Sequence, residues 1–225
     1  MGSVAGIDRW RGGWVIAEDC GDELRLSTAA HIDEVTDHLA SCVAVAIDMP
    51  IALAVSGRRA AEGELRALLG SSARSVFTSP TRAGVEALSQ AEATVINRQH
   101  GGPGISAQAF GLFASIRELR AHLGSPATEH WHETHPESSF AAMNGGVPLA
   151  AKRSARGVAE RLAHLRNFFP TVDASLLGAP ERVPIDDVLD AIAAAWSAKR
   201  IAEGTATLFG EPGRDDQGFP HGIRI

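Results

Sequence analysis

Five carboxylates stand where the chain changes direction, and their placing raises the question of chemistry. Asp8 closes "SVAGID", Asp48 closes "CVAVAID", Glu133 lies in "TEHWHETHPE", and Asp187 and Asp190 open "VPIDDVLDAIAAAWSAKR". Acids in a first helical turn need no function, because they cap free N–H groups and favour the positive end of the helix dipole. Asp187 and Asp190, however, are three positions apart and share one helix face. Like charges side by side repel unless a cation or ligand sits between them. A cluster of such acids, left unpaired, would push some pKa values upward. Hard divalent cations remove that repulsion, and carboxylate oxygens are the ligands Mg²⁺ and Mn²⁺ prefer.

The elements that must carry these acids can be read from periodicity. "SVAGID", "GGWVIAED" and "ELRLSTA" read as three strands, with "DCGDE" as a tight turn. "HIDEVTDHLA" has helical spacing, and the Val/Ile-rich "CVAVAIDMP" suits a strand buried on both faces and stopped by Pro50. Residues 54 to 127 show helix periods, with helices expected at 58–69, 84–98 and 106–123, so they form a helical insertion in one domain spanning 1–225. "TEHWHETHPE" resumes as a strand stopped by Pro136, "SARGVAERLAHLRNFF" is an amphipathic helix, and the last long helix follows. The Gly/Pro/Asp-rich tail reads as a loop with a final short strand. Strands joined through helices tend to be parallel, and ligand sites gather at the carboxyl ends of such strands. Three acids end strands here, so they are expected at one edge.

Composition narrows the classes. With 225 residues, 44% hydrophobic, the chain can bury a sizeable core. It has no apolar run of membrane-spanning length and no basic-then-apolar leader, and Cys20 and Cys42 lack metal-site spacing, which suits a reducing cytoplasm. The net charge of −6 argues against a general nucleic-acid coat protein. Local basic groups exist all the same. Lys152, Arg153, Arg156, Arg161 and Arg166 cluster against Glu160, and Arg58, Arg59, Arg66, Arg74 and Arg82 form a looser group. Either is a solvated helix face or a phosphate-binding surface. His130 and His132 share a strand face as zinc ligands can, but no third ligand has convincing spacing. His135 reads as a polar neighbour of the acids and a candidate proton shuttle. Trp10 and Trp14 read as packing residues.

The order of three antiparallel strands, helix, strand, helical segment, strand and helix is that of the ribonuclease H-like fold. "AGIDRWRGGWVIA", "VAIDMPIAL", "RSVFTSPTRA", "SAQAFGLFASIREL", "HETHPESSFAAMNGG" and "DDVLDAIAAAWSAKR" closely resemble a bacterial family of uncharacterised proteins described as predicted RNase H-like nucleases. The resemblance runs from about Val4 to Ala206. It implies that Asp8 is the first-strand acid of nucleases with this fold, including the Holliday-junction resolvase RuvC. It implies that Asp48 is the carboxylate after the fourth strand, and that Asp187 and Asp190 are the paired acids opening the last helix. Glu133, His135 and Glu137 belong to the family's E-x-H-P-E motif, which the resolvases lack. Arg82 and Gln108 lie in family motifs, with capping, core and substrate roles open. The RuvC-like middle acid is usually Glu, one methylene longer than Asp48, so either the strand ends nearer the metal or Glu133 supplies the reach.

The resulting expectation is two-metal hydrolysis of a nucleic-acid phosphodiester, DNA or RNA, with Asp8, Asp48, Asp187 and Asp190 holding two Mg²⁺ or Mn²⁺ ions roughly 3.5–4 Å apart. Glu133 would join them as ligand or neighbour. Lys152 and Arg153 would steer phosphate, and Arg82, Gln108, His135 and Glu137 would border the substrate. Two other classes stay open: a noncatalytic protein using the acids for metal or partner binding, and a nucleotide-dependent phosphotransferase of the same fold. The sequence does not give the oligomeric state, and a dimer is open.

Overall fold

A computed structural model describes residues 2–123 and 129–225. It divides the chain into two compact units, one of Met1–Met49, Pro126–Thr207 and Ile223–Ile225, the other of Pro50–Ser125 and Leu208–Gly222. The first unit holds strands β1 (Val4–Trp10), β2 (Gly13–Asp19) and β3 (Leu24–Ala29), helix α1 (Ile32–His38) and strand β4 (Ala44–Ile47). The second holds helices α2 (Ala60–Leu69), α3 (Gln90–Gln99), α4 (Ala107–Phe110) and α5 (Phe113–His122). The chain then returns to the first unit with β5 (Trp131–Glu133), α6 (Pro136–Met143), α7 (Ala155–Arg166), α8 (Val172–Leu177) and α9 (Ile185–Ala202). Strand β6 (Leu208–Phe209) falls in the second unit and β7 (Ile223–Arg224) in the first.

The first unit is an α/β layer structure around a five-stranded mixed sheet of order β3-β2-β1-β4-β5. β1 to β3 form an antiparallel meander, whereas β1, β4 and β5 run parallel. Two registers matter: Val4 and Gly6 pair with Ala44 and Ala46, and Val45 and Ile47 pair with Trp131 and Glu133. Successive side chains alternate between faces. Val4, Gly6, Ala44 and Ala46 therefore share one face, and that face is made of small residues.

Helix α9 lies on it. Val4, Ala44 and Ala46 cluster with Ala198, while Val15 and Ala17 of β2 cluster with Leu189, Ile192 and Trp196. A Cβ at Gly6 would stand 1.9 Å from Ala195 N and 2.2 Å from Ala191 O. Helix backbone thus touches strand backbone, an approach only glycine under an alanine run permits. The alanines at 191, 193, 194, 195 and 198 are fully buried for this reason, not chosen for helix propensity alone.

Several elements differ from expectation, each for a local reason. β5 is three residues long, because His135 and Pro136 already belong to the next helix. Proline suits a first helical turn, where its missing N–H has no partner to lose, and the Ser138 N–H donates to His135 Nδ1 at 3.2 Å. Pro136 therefore starts α6 and does not stop the strand, which has already ended at Glu133. Residue 128, where that strand was expected to begin, and residues 124–127 of the insertion lie outside the described residues. The helix expected at 84–98 begins at Gln90, since Ser89 accepts from the Glu92 N–H and Glu92 reaches back to the Leu88 N–H. This is a reciprocal cap that fixes the start. Residues 106–123 split into α4 and α5 at Gly111 and Leu112. Helix α8 was not foreseen.

In the second unit, buried polar side chains hold the loops between helices. Asn97 accepts from the Thr81 N–H at 2.6 Å and donates to Pro103 O at 2.7 Å, and Glu62 accepts from the Ser79 N–H at 2.9 Å. Among the described residues no helix is long and apolar enough to cross a membrane.

The contact at Gly6 predicts a specific sensitivity. Gly6→Ala drives a methyl into helix backbone that cannot swing away, so it costs at least the ~1–3 kcal/mol typical of overpacking. Urea unfolding followed by circular dichroism reads this as a lower midpoint. An unchanged midpoint would show that α9 can lift off β1 freely.

Candidate active site

The face that seats α9 ends in acids. Asp8 follows Gly6 by two residues and so projects on the same side of β1. Asp48 comes directly after β4, and its N–H donates to Ile7 O at 3.0 Å, which continues the parallel ladder and sets it beside Asp8. Above them α9 runs back toward its own start. Asp190 is one turn before Ala194 and Asp187 one turn before Ala191, the residues packed on Gly6. One close contact therefore carries the helical acids over the strand acids. Asp8 and Asp190 are buried, and Asp48 and Asp187 partly so.

The electrostatics confirm that these groups feel one another. Burial, then Asp48 and Asp190, hold the Asp8 carboxyl well above the usual carboxylate range. Burial and Asp190, with smaller contributions from Glu133 and Glu137, push Asp48 up to about 8. Burial raises Asp190 to about 6 against the opposing pull of Lys152. Asp187 is raised by burial and by Asp186.

Lys152 is the counter-charge of this cluster. Its Nζ donates to Asp190 Oδ2 at 2.5 Å and lies 3.9 Å from Asp186 Oδ2. Burial alone would lower its pKa, but Asp190, Asp8 and Asp48 more than reverse that. Asp186 is claimed by Arg153, whose Nε donates to Asp186 Oδ2 at 2.9 Å. Burial acts to raise Asp186, yet Arg153 and Lys152 bring it below the usual range. The N-cap of α9 is Pro184, whose side chain has no polar atom to cap with, and Asp186 and Asp187 stand in the first turn.

Whether these residues suit a hard cation can be judged from Asp190. One of its oxygens meets Lys152, while Oδ1 is buried without a hydrogen-bond partner. Such an atom is costly unless something occupies it. The donors present are carboxylate oxygens, the kind that Mg²⁺ and Mn²⁺ take. The residues fit. Among the described residues no three His, Cys, Asp or Glu groups close on one point. This holds for the histidines too, so the zinc reading of His130 and His132 gains nothing. The Lys152 ammonium instead supplies the positive charge against Asp190.

The remaining expected residues are dispersed. Glu133 is buried and pairs in register with Ile47, so its Cβ leaves the opposite face of the sheet from Asp8 and Asp48. It influences Asp48 without standing in the row of strand acids. Glu137, expected to border substrate, is held by Arg161, which donates to both its oxygens at 2.7 Å. Arg161 is itself buried, stacks 5.0 Å from the Phe140 ring and donates to Ala150 O. His135 serves as the N-cap of α6. The Arg153 side chain is 82% exposed beyond its bond to Asp186. Arg82 and Gln108 belong to the second unit, where Arg82 pairs with Asp216 at 2.6 Å and Asp215 at 3.3 Å and Gln108 is exposed. Three roles escaped the sequence reading. They are Lys152 as counter-ion, Asp186 as the partner of Arg153, and Arg161 as a buried anchor. Only Arg161 left a signal, since Gly157 and Leu165, four residues either side of it, are buried on its helix face.

Residues 6–214 match the family described as "Protein of unknown function (DUF429)". No curated protein and no solved structure matches the chain.

The raised acids fix a pH dependence. An Asp48 with a folded pKa of about 8 holds a proton that the unfolded chain, near 3.8, has already released. Stability therefore falls as pH rises from about 4 toward 8. Thermal melts in EDTA should show a lower midpoint at pH 8 than at pH 5, and Asp48→Asn should flatten that difference. An equal drop in the variant would mean that Asp48 is not among the groups responsible.

Proposed function

The chain belongs to the DUF429 family, and we propose that it is a metal-dependent nuclease of the ribonuclease H-like type, hydrolysing phosphodiester bonds of nucleic acid. The observation that carries the reading is that Asp48 and Asp190 raise the pKa of buried Asp8, and Asp190 that of Asp48, with Asp190 Oδ1 left without a hydrogen-bond partner. The mixed sheet, three antiparallel strands followed by two parallel ones with the last long helix across them, supports the fold assignment.

Asp8, Asp48, Asp187 and Asp190 would hold Mg²⁺ or Mn²⁺. Bound there, the metal would supply charge stabilisation to the phosphoryl oxygens and lower the pKa of an attacking water. The chain's own residues prepare the place. α9 and the sheet strip water from the carboxylates, which strengthens their hold on any cation. Lys152, on a long stem and partly exposed, would offer its ammonium to a substrate phosphate if Asp190 turned to a cation. Arg153 presents the outer side of its guanidinium to solvent next to it, a second phosphate donor. Glu137 and Arg161 fix the chain around Ala150 and so the base of the Lys152 side chain.

A second reading has one observation in its favour. The 2.5 Å contact between Lys152 and Asp190 would serve as a permanent internal salt bridge in a noncatalytic protein. Manganese separates the two. In the nuclease reading, millimolar Mn²⁺ raises the melting temperature of the wild type by mass action, and Asp190→Asn and Asp8→Asn shift less. Labelled single-stranded, duplex and branched DNA and RNA should include a substrate cut in Mg²⁺ or Mn²⁺, with Asp8→Asn slower by at least about 100-fold. No shift and no cleavage would leave the internal salt bridge as the purpose of the cluster.

A further inference from the structure

The ladder that aligns Asp8 with Asp48 extends to one more strand. Thr134 follows β5 as Asp48 follows β4, and its N–H donates to Ile47 O at 2.9 Å, just as the Asp48 N–H donates to Ile7 O. Ile7, Ile47 and Glu133 are side by side in register, so the next residues, Asp8, Asp48 and Thr134, form the next row. That row lies on the face of Gly6 and Ala46, toward α9. Thr134 is 2% exposed, and its Oγ1 is buried without a hydrogen-bond partner.

A buried hydroxyl left unpaired costs free energy, whereas a valine of nearly the same shape would not. Threonine at this position is therefore a poor choice for packing alone. The second orphaned oxygen of the region, Asp190 Oδ1, belongs to the acid cluster in front of the same row. Two buried oxygens without hydrogen-bond partners thus accompany the same carboxylates.

We propose that Thr134 Oγ1 is a neutral oxygen donor of the divalent-cation site, standing in the row of Asp8 and Asp48. A hydroxyl suits the position because it adds an oxygen to the cation without adding a further negative charge to carboxylates that already repel one another. The proposal rests on the metal-binding reading above and names one more residue of that site.

Thr134→Val and Thr134→Ser test it, using thermal melts with and without MnCl₂ and calorimetric titration of Mn²⁺ into the metal-free protein. The expected result is a metal-free midpoint in Thr134→Val equal to or above that of the wild type, with Mn²⁺ affinity at least tenfold weaker. Thr134→Ser restores the affinity. A Thr134→Val protein that melts lower without metal would show that the hydroxyl has a structural partner and would overturn the proposal. Wild-type affinity in Thr134→Val would overturn it while leaving the metal reading intact, and a wild type that binds no Mn²⁺ would remove both.

Discussion

The contact of α9 with β1 at Gly6 governs the rest of the first unit. A strand and a helix normally keep side chains between them, and here they do not. The benefit is positional. A layer of larger side chains would lift the first turns of α9 away from the strand ends, and Asp187 and Asp190 would face solvent. With alanine and glycine at the crossing, the helix comes down far enough for its acids to act on Asp8 and Asp48. Core packing and the acidic cluster are two results of one choice of small residues.

The second constraint is charge. Burying several carboxylates together is unfavourable unless each gains a partner or a proton. The chain uses both remedies. Lys152 neutralises one acid directly, and burial with the neighbouring acids holds Asp8 and Asp48 above the usual carboxylate range, which favours their protonated forms. Lys152 depends on its surroundings in turn. Arg161 holds Ala150 O, Glu160 accepts from the Ala150 N–H, and a Cβ at Gly157 would stand 2.1 Å from Ala151 O. A buried arginine, a surface glutamate and a glycine thus station one flexible lysine.

How much of this the sequence disclosed follows from the kind of signal each part leaves. Period and register are local, so the strand meander, the acid after β4 and the helical character of 60–122 could be read directly. Asp48 was legible because it follows an apolar strand, and Asp187 and Asp190 because they share one face near a helix start, whereas β1 runs two residues past Asp8, to Trp10. Glu133 does end its strand, but one residue of register decides which face its side chain leaves, and "HETHP" does not show that Pro136 begins a helix. Thr134 left no signal, since a lone threonine near a strand end is unremarkable until its neighbours across the sheet are known. The pairing of Lys152 with Asp190 spans 38 positions of sequence, and no spacing rule reaches that far.

The strand order also has a temporal meaning. β1, β2 and β3 are neighbours in the chain and can meet early, while β5 joins β4 only after the long excursion through residues 50–125, and α9 reaches β1 across nearly the whole chain. Closing such loops costs entropy before any contact rewards it, which makes distant pairings the slow ones. Asp8, Asp48, Thr134 and Asp190 come from four segments that meet only when those distant pairings are complete. A nascent chain therefore presents scattered, solvated acids until α9 has emerged and docked, and the cluster comes into being together with the finished core.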